Sequence, residues 1–426
     1  MLKVFIATTC LVVLASSAGG GELADARQGV LPVPSGTRGI GRKTLQWTDS
    51  ARFEPLAPDR RNRELVVDIW YPAEPRTGPV AQYINFAAFD QALGTTGLRS
   101  LLGAPAADLV RAGGVQTHAI EGAPFARRVN RSPVLIFSHG MGTVTQLYTA
   151  QIEDLVSHGY IVVAITHPYD AWLTTFPDGR FIPFERNRRE AAGNSEEEQI
   201  AYENTRVEWW ANDIRFVLNE LASQSQNRSA AKPFAGHLDL QRVGAFGHSV
   251  GGRAAARACQ LDGRLRACAD QDGVARMIPF YVNERGSGMD QPFLLIERQR
   301  TTPPTDDELR QMGLTRLEAL GLVGQLRAQR DAALGATGGS YRVVLDFSQT
   351  DHMSFSDLPM LQARDSSEAA VRTRVFRVTS TYTRAFFDKA LRGMKAPLLD
   401  GEAKLEFVDL VQRYPRAPFR KDPAPK

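Results

Sequence analysis

Apolar and polar positions alternate along this chain in a way that sets out strands and helices in regular succession. Glu64-Leu65-Val66-Val67-Asp68-Ile69-Trp70-Tyr71-Pro72 reads as a strand ended by proline, after an extended, proline-rich lead-in. Residues 133–138 form a continuous apolar run, the pattern of a strand covered on both faces, and the run breaks at His139-Gly140-Met141-Gly142. A helical stretch over 146–157 follows, closed by His158-Gly159, and residues 160–165 give the next buried strand. Strand, helix and strand with short joints imply parallel pairing and a right-handed crossover.

The alternation continues with a helix over 198–221, a strand over 242–246 and an alanine-rich helix over 250–259. Strands are predicted over 265–272, 293–297 and 341–347, and a long closing helix over 367–391. The class is α/β, with helices on both faces of a mostly parallel central sheet. Two segments interrupt the pattern: residues 170–195, polar and irregular, and residues 302–334, a helical insertion with an apolar face that is a candidate lid. Either could sit over the carboxyl ends of the strands, where open sheets bind ligands, or pack as a satellite on the rim.

Composition narrows the class. At 426 residues, 43% hydrophobic and 23% charged, the chain is too apolar for disorder and too charged for a membrane bundle. The net charge of +4 is matched by the C-terminal stretch, where Arg413, Arg416, Arg420, Lys421 and Lys426 face Asp422 alone. The body is therefore near neutral, and no basic stripe argues for nucleic acid. Residues 401–426 read as a basic tail after a single domain spanning 21–400.

Met1-Leu2-Lys3, the apolar run 4–14 and the small residues Ala15-Ser16-Ser17-Ala18-Gly19 describe a secretory signal peptide over 1–20. The apolar run is too short to span a bilayer, which takes about 20 residues. A secreted or periplasmic chain would expose Cys259 and Cys268 to oxidising conditions; they read equally as a bridge or as two buried free thiols. No C-x-x-C pair and no H-E-x-x-H occurs, so neither a metal nor a cofactor is expected.

The chemistry centres on Gly247-His248-Ser249-Val250-Gly251-Gly252, a G-x-S-x-G pattern. The pattern alone is weak, but here it lies between a predicted strand and a predicted helix, the setting that makes it specific. The sharp turn would expose the serine oxygen at the sheet edge, above the partial positive charge of the helix start. A serine needs a base, and His352 is the one histidine after Ser249, in the loop before the last helix. The acid should follow the next strand. Asp270 and Asp272 both qualify, and Asp272 is favoured because Gly273 places it beyond the strand end. Oxyanion donors are expected from the backbone N–H groups of Val250, after the nucleophile, and Met141, in the loop after the 133–138 strand. His139 reads as structural; His167 and His248 read as pocket lining.

These motifs, with Leu155-Val156-Ser157-His158-Gly159-Tyr160 and the 23-residue spacing from Ser249 to Asp272, resemble the secreted platelet-activating factor acetylhydrolases. The related bacterial group often called predicted dienelactone hydrolases shares the Val67–Pro72 strand. True dienelactone hydrolases use a cysteine where this chain has Ser249. The resemblance implies an α/β-hydrolase fold, a Ser249–His352–Asp272 triad, and Met141 and Val250 as oxyanion donors. It also implies a calcium-independent esterase acting on short or oxidised sn-2 acyl chains of phospholipids. A small-molecule or lipid ester is then the expected substrate, with peripheral contact to a lipid surface through 302–334 as an open alternative to core packing. A polyester or lactone hydrolase, or a non-catalytic binding protein of the same fold, are the competing readings.

Overall fold

The computed structural model describes residues 31–74, 78–127, 131–185, 196–225, 234–273, 289–299, 305–312 and 315–415. The expected leader, residues 1–20, lies outside the described residues. Twelve strands are described: β1 (Gly39–Phe53), β2 (Asn62–Ala73), β3 (Ala119–Glu121), β4 (Ser132–Ser138), β5 (Ile161–Thr166), β6 (Leu173–Thr175), β7 (Phe181–Pro183), β8 (Leu238–His248), β9 (Leu265–Gln271), β10 (Phe293–Arg298), β11 (Ser340–Leu345) and β12 (Val408–Tyr414).

Ten of these form one sheet in the order β12-β11-β10-β9-β8-β4-β5-β2-β1-β3. From β5 through β11 every neighbouring pair is parallel, while β2 joins β5 antiparallel and β12 joins β11 antiparallel. Side chains on a strand alternate between faces, so a strand covered twice must be apolar throughout. β4 meets that requirement: Leu135 and Phe137 enter one core, with the helices Thr149–Ser157 and Ser366–Arg392, while Val134 and Ile136 enter the other, with Glu196–Ser225 and Val250–Leu261. This is the α/β-hydrolase fold.

The topology places the site. The chain leaves β4 for β5 on one side and returns to β8 on the other, so β4 and β8 lie at a switch point where a crevice opens beyond their carboxyl ends. The loops after β4, β8 and β9 therefore meet at one rim.

The structure differs from the sequence reading in several places, among them three unpredicted helices, Phe86–Leu93, Thr95–Leu102 and Ala104–Arg111. The proline-rich lead-in is largely β1, paired along almost its whole length with β2. Residues 302–334, expected as an insertion, contain the crossover that any parallel β10–β11 pair requires. Its helices are Asp306–Met312 and Arg316–Gly335; Ala333 and Leu334 pack in the core while Leu317 and Leu320 face solvent. The basic tail expected from 401 instead supplies β12, an edge strand closing the sheet at β11. Residues 170–195 hold the small β6–β7 hairpin, with 186–195 outside the described residues.

Cys259 and Cys268 are joined in a disulfide that ties the helix Val250–Leu261 to β9. It closes a loop with a sequence separation of 9. Replacing both cysteines by alanine is expected to lower stability by about 3 kcal/mol through the freed unfolded chain, read as a reduced urea midpoint.

Candidate active site

Ser249 sits in the turn between β8 and the helix Val250–Leu261 with φ 56° and ψ −123°. A non-glycine residue in that region is strained by about 1–3 kcal/mol and persists only where its surroundings hold it. Three hydrogen bonds do so: Ser249 N–H donates to Gln271 O at 2.9 Å, and Ser249 O accepts from Gly252 and Arg253 N–H at 3.1 and 3.3 Å. Close approach of the chain is the second requirement. A Cβ on Gly251 would lie 2.2 Å from Ser138 O and 2.4 Å from His139 O, so only glycine lets the helix start press against the end of β4.

That contact brings the two expected oxyanion donors to the same rim. Around Met141 the loop is held on both sides: Gly140 N–H donates to Tyr148 Oη at 3.1 Å and Gly142 N–H to Asp170 O at 2.8 Å. The N–H of Met141 lies between these two anchored neighbours. Val250 opens its helix, where the first N–H groups have no intrahelical acceptor and carry the positive end of the helix dipole.

Asp272, just past β9, also has positive φ, 57°. Its N–H donates to Ile296 O at 2.8 Å, which fixes it to β10. Arg298 N–H donates to its Oδ1 at 3.1 Å, and its Oδ2 accepts from His352 Nδ1 at 2.7 Å. Asp272, not Asp270, is thus the carboxylate on His352. Asp270 is fully buried, and its Oδ1 accepts from Gly273 N–H at 2.7 Å, in the turn that carries Asp272.

His352 opens a short 3-10 turn, His352–Phe355, braced by Asp351 and Ser354. Asp357 pins the far end of this loop: its N–H donates to Leu147 O at 2.6 Å, and its carboxylate accepts from Tyr83 Oη at 3.1 Å. The ring of His352 lies 4.5 Å from that of His248, the residue before Ser249. No hydrogen bond joins the Ser249 hydroxyl to His352 among the described residues. The His352 side chain is 41% exposed, so its imidazole can be reached from solvent.

The other histidines are not pocket lining. His139, His167 and His248 are all fully buried. Burial, aided by the charge of His167, pulls the His139 ring down to about 3. Burial likewise lowers His167, and burial followed by the neighbouring His352 holds His248 well below the ordinary range. All three are neutral at pH 7. His139 is structural: its Nδ1 bonds Gly140 O at 2.7 Å and its Nε2 accepts from His167 N–H at 3.2 Å.

Among known proteins, the family model of platelet-activating factor acetylhydrolase, isoform II, matches residues 53–364. The chain belongs to this family of serine esterases. A probable 1-alkyl-2-acetylglycerophosphocholine esterase of Arthroderma benhamiae is 26% identical over 263 residues, 57% of this chain and 59% of that protein. A platelet-activating factor acetylhydrolase of Canis lupus familiaris is 27% identical over 207 residues, 44% of each chain. The chain thus spans about half the length of the curated relatives it matches. A solved ferulic acid esterase from Streptomyces cinnamoneus superposes with a TM-score of 0.66 at 28% identity, covering 88% of this chain and 96% of that one.

Sequence reasoning missed one residue of this rim, Tyr148. Its hydroxyl accepts from Gly140 N–H and shares a hydrogen bond with His248 Nδ1 at 2.8 Å, so a single buried oxygen ties the Met141 loop to the residue beside Ser249. Burial pushes its phenol up to about 12, which keeps the hydroxyl protonated at neutral pH. In sequence it is one aromatic in an apolar helix start, with nothing to mark it. Tyr148→Phe should leave Gly140 N–H unsatisfied, reduce stability by about 1–3 kcal/mol and slow ester turnover about 10-fold, measured by urea unfolding and p-nitrophenyl acetate hydrolysis.

Proposed function

We propose that this chain is a secreted serine carboxylic-ester hydrolase that cleaves short-acyl esters of the 1-alkyl-2-acetylglycerophosphocholine type through an acyl-enzyme. The observation that carries this reading is the 2.7 Å His352–Asp272 hydrogen bond at the rim where the strained Ser249 turn meets the Met141 loop. With Nδ1 engaged by Asp272, His352 presents Nε2 as the nitrogen that takes the Ser249 proton. The Ser249 oxygen then attacks the ester carbonyl, and the carbonyl oxygen becomes an oxyanion held by Met141 and Val250 N–H. His352 returns its proton to the departing alcohol, leaving acyl-Ser249. Water, deprotonated by His352, attacks the acyl carbon; the acid leaves and Ser249 recovers its proton. Asp272 fixes the imidazole tautomer and offsets the imidazolium charge in both halves.

Export is supported by the leader pattern of residues 1–20 together with the Cys259–Cys268 bridge, since disulfides persist in oxidising compartments. A second reading is favoured by one feature. Phe184 packs over Trp172 at 6.3 Å between ring centroids, and its ring edge lies 3.8 Å from where a Gly142 Cβ would stand. An aromatic wall beside the oxyanion loop suits a planar acyl group, in line with the ferulic acid esterase neighbour.

Ser249→Ala is expected to abolish fluorophosphonate labelling and cut turnover by at least about 10⁴-fold, with Asp272→Asn costing about 10³–10⁴-fold. Labelling of the Ser249→Ala protein as complete as that of the wild type would contradict the assignment. In a panel of p-nitrophenyl esters, kcat/KM should be highest for acetate and butyrate. Faster cleavage of chains of about 12 carbons would exclude the short-acyl reading, and faster cleavage of methyl ferulate would select the aromatic one.

A further inference from the structure

A second Ser–His–Asp arrangement lies beneath the Met141 loop. Ser138 Oγ, at the end of β4, is 3.1 Å from His167 Nε2, and His167 Nδ1 is 2.8 Å from Asp213 Oδ2. The order of contacts is that of a hydrolytic triad, yet all three residues are fully buried, so no ester can reach Ser138. What the arrangement touches shows its use.

Asp213 is gripped at both oxygens by Arg63, at 2.7 and 2.6 Å, and by Arg52 at 2.9 Å; Arg63 also binds Glu54 at 2.5 Å. Burial alone would raise the Asp213 carboxyl, but Arg63 holds it well below the ordinary range, so it stays ionised. A second branch starts from Trp210, stacked on His167 at 4.0 Å. Trp210 Nε1 donates to Asp170 Oδ2 at 2.9 Å, and Arg206 Nε to Asp170 Oδ1 at 3.2 Å. Arg52 also binds Asp49 at 2.6 Å, so three guanidinium groups (Arg52, Arg63, Arg206) face four carboxylates (Asp49, Glu54, Asp170, Asp213).

Both branches end on the oxyanion loop. His167 N–H donates to His139 Nε2, and Asp170 O accepts from Gly142 N–H. A buried ionic cluster is a poor source of net stability, because desolvation cancels much of its attraction. It is a good source of direction: a carboxylate clamped by a planar guanidinium cannot rotate, and it fixes the imidazole it binds.

We propose that the sealed Ser138–His167–Asp213 relay positions the Met141 N–H for the developing oxyanion. This deepens the esterase reading above and rests on it. These are positioning residues; they touch the loop, not the substrate.

The experiment compares the purified wild type with Ser138→Ala, His167→Gln and Asp213→Asn, using p-nitrophenyl acetate turnover and the inhibition constant of phenylboronic acid, a tetrahedral mimic of the oxyanion. The expected result is a kcat lowered about 10- to 100-fold with KM within about twofold, and boronate affinity lowered in the same proportion. Asp213→Asn leaves Arg63 underpaired and could unfold the chain; Ser138→Ala removes one hydroxyl and keeps the test decisive. The double Cys259→Ala and Cys268→Ala protein separates lost stability from lost positioning, since it should keep wild-type boronate affinity. Folded Ser138→Ala and His167→Gln proteins with kcat and boronate affinity within about twofold of wild type would overturn the proposal. A wild type that cleaves no ester and takes no fluorophosphonate at Ser249 would instead remove the esterase reading beneath it.

Discussion

The site depends on one steric contact, the close approach of Gly251 to the carbonyls of Ser138 and His139. A methyl group at Gly251 would fall 2.2 Å from Ser138 O, far inside van der Waals range. Because nothing stands there, the start of the Val250–Leu261 helix sits directly on the end of β4. The Met141 loop and the Ser249 turn, which belong to different βα units, then share a rim. The strain at Ser249 follows from the same contact: the backbone must turn sharply, and its hydrogen bonds to Gln271, Gly252 and Arg253 hold it there.

Two Ser–His–Asp sets within one fold show how burial divides chemistry from architecture. His352 is 41% exposed and bonded to Asp272, whereas His167 is sealed against Trp210 and bonded to Asp213. An imidazole that must gain and lose a proton needs a route to water and substrate; one that must keep a fixed tautomer is better without it. The neutral states of His139, His167 and His248 fit the second role, as burial withholds charge from each. The buried arginine–carboxylate cluster extends this support from β1 and β2 to the helix Glu196–Ser225, so the Met141 loop rests on elements distant in the chain.

The acetylhydrolase family model spans 53–364, which takes in the Ser249, Asp272 and His352 positions and the relay beneath. The ferulic acid esterase neighbour covers nearly the whole fold at 28% identity. A shared scaffold with differently named relatives leaves specificity to what surrounds the rim and not to the sheet.

By itself, the sequence determined the α/β class, the parallel core strands, the Ser249 turn and the loop carrying Met141, because each is written in a local pattern. Continuous apolar runs, glycine at tight turns and strand–turn–helix order are short-range signals. β1 escaped because its polar, half-buried positions lack the apolar rhythm of the central strands. β12 escaped because an edge strand exposes one side and its sequence looks like a charged tail. The sequence favoured Asp272 over Asp270, and the tertiary structure puts Asp272 on His352: Asp270 still lies inside β9, whereas Asp272, two residues on, has left the strand with φ 57° and turns its carboxylate to the imidazole. Tertiary structure alone decided the cysteine pairing, the role of Tyr148, and the assembly of Ser138, His167 and Asp213. Those contacts join residues from 8 to 100 positions apart, and no local pattern encodes which side chain will fill a given hydrogen bond or bridge.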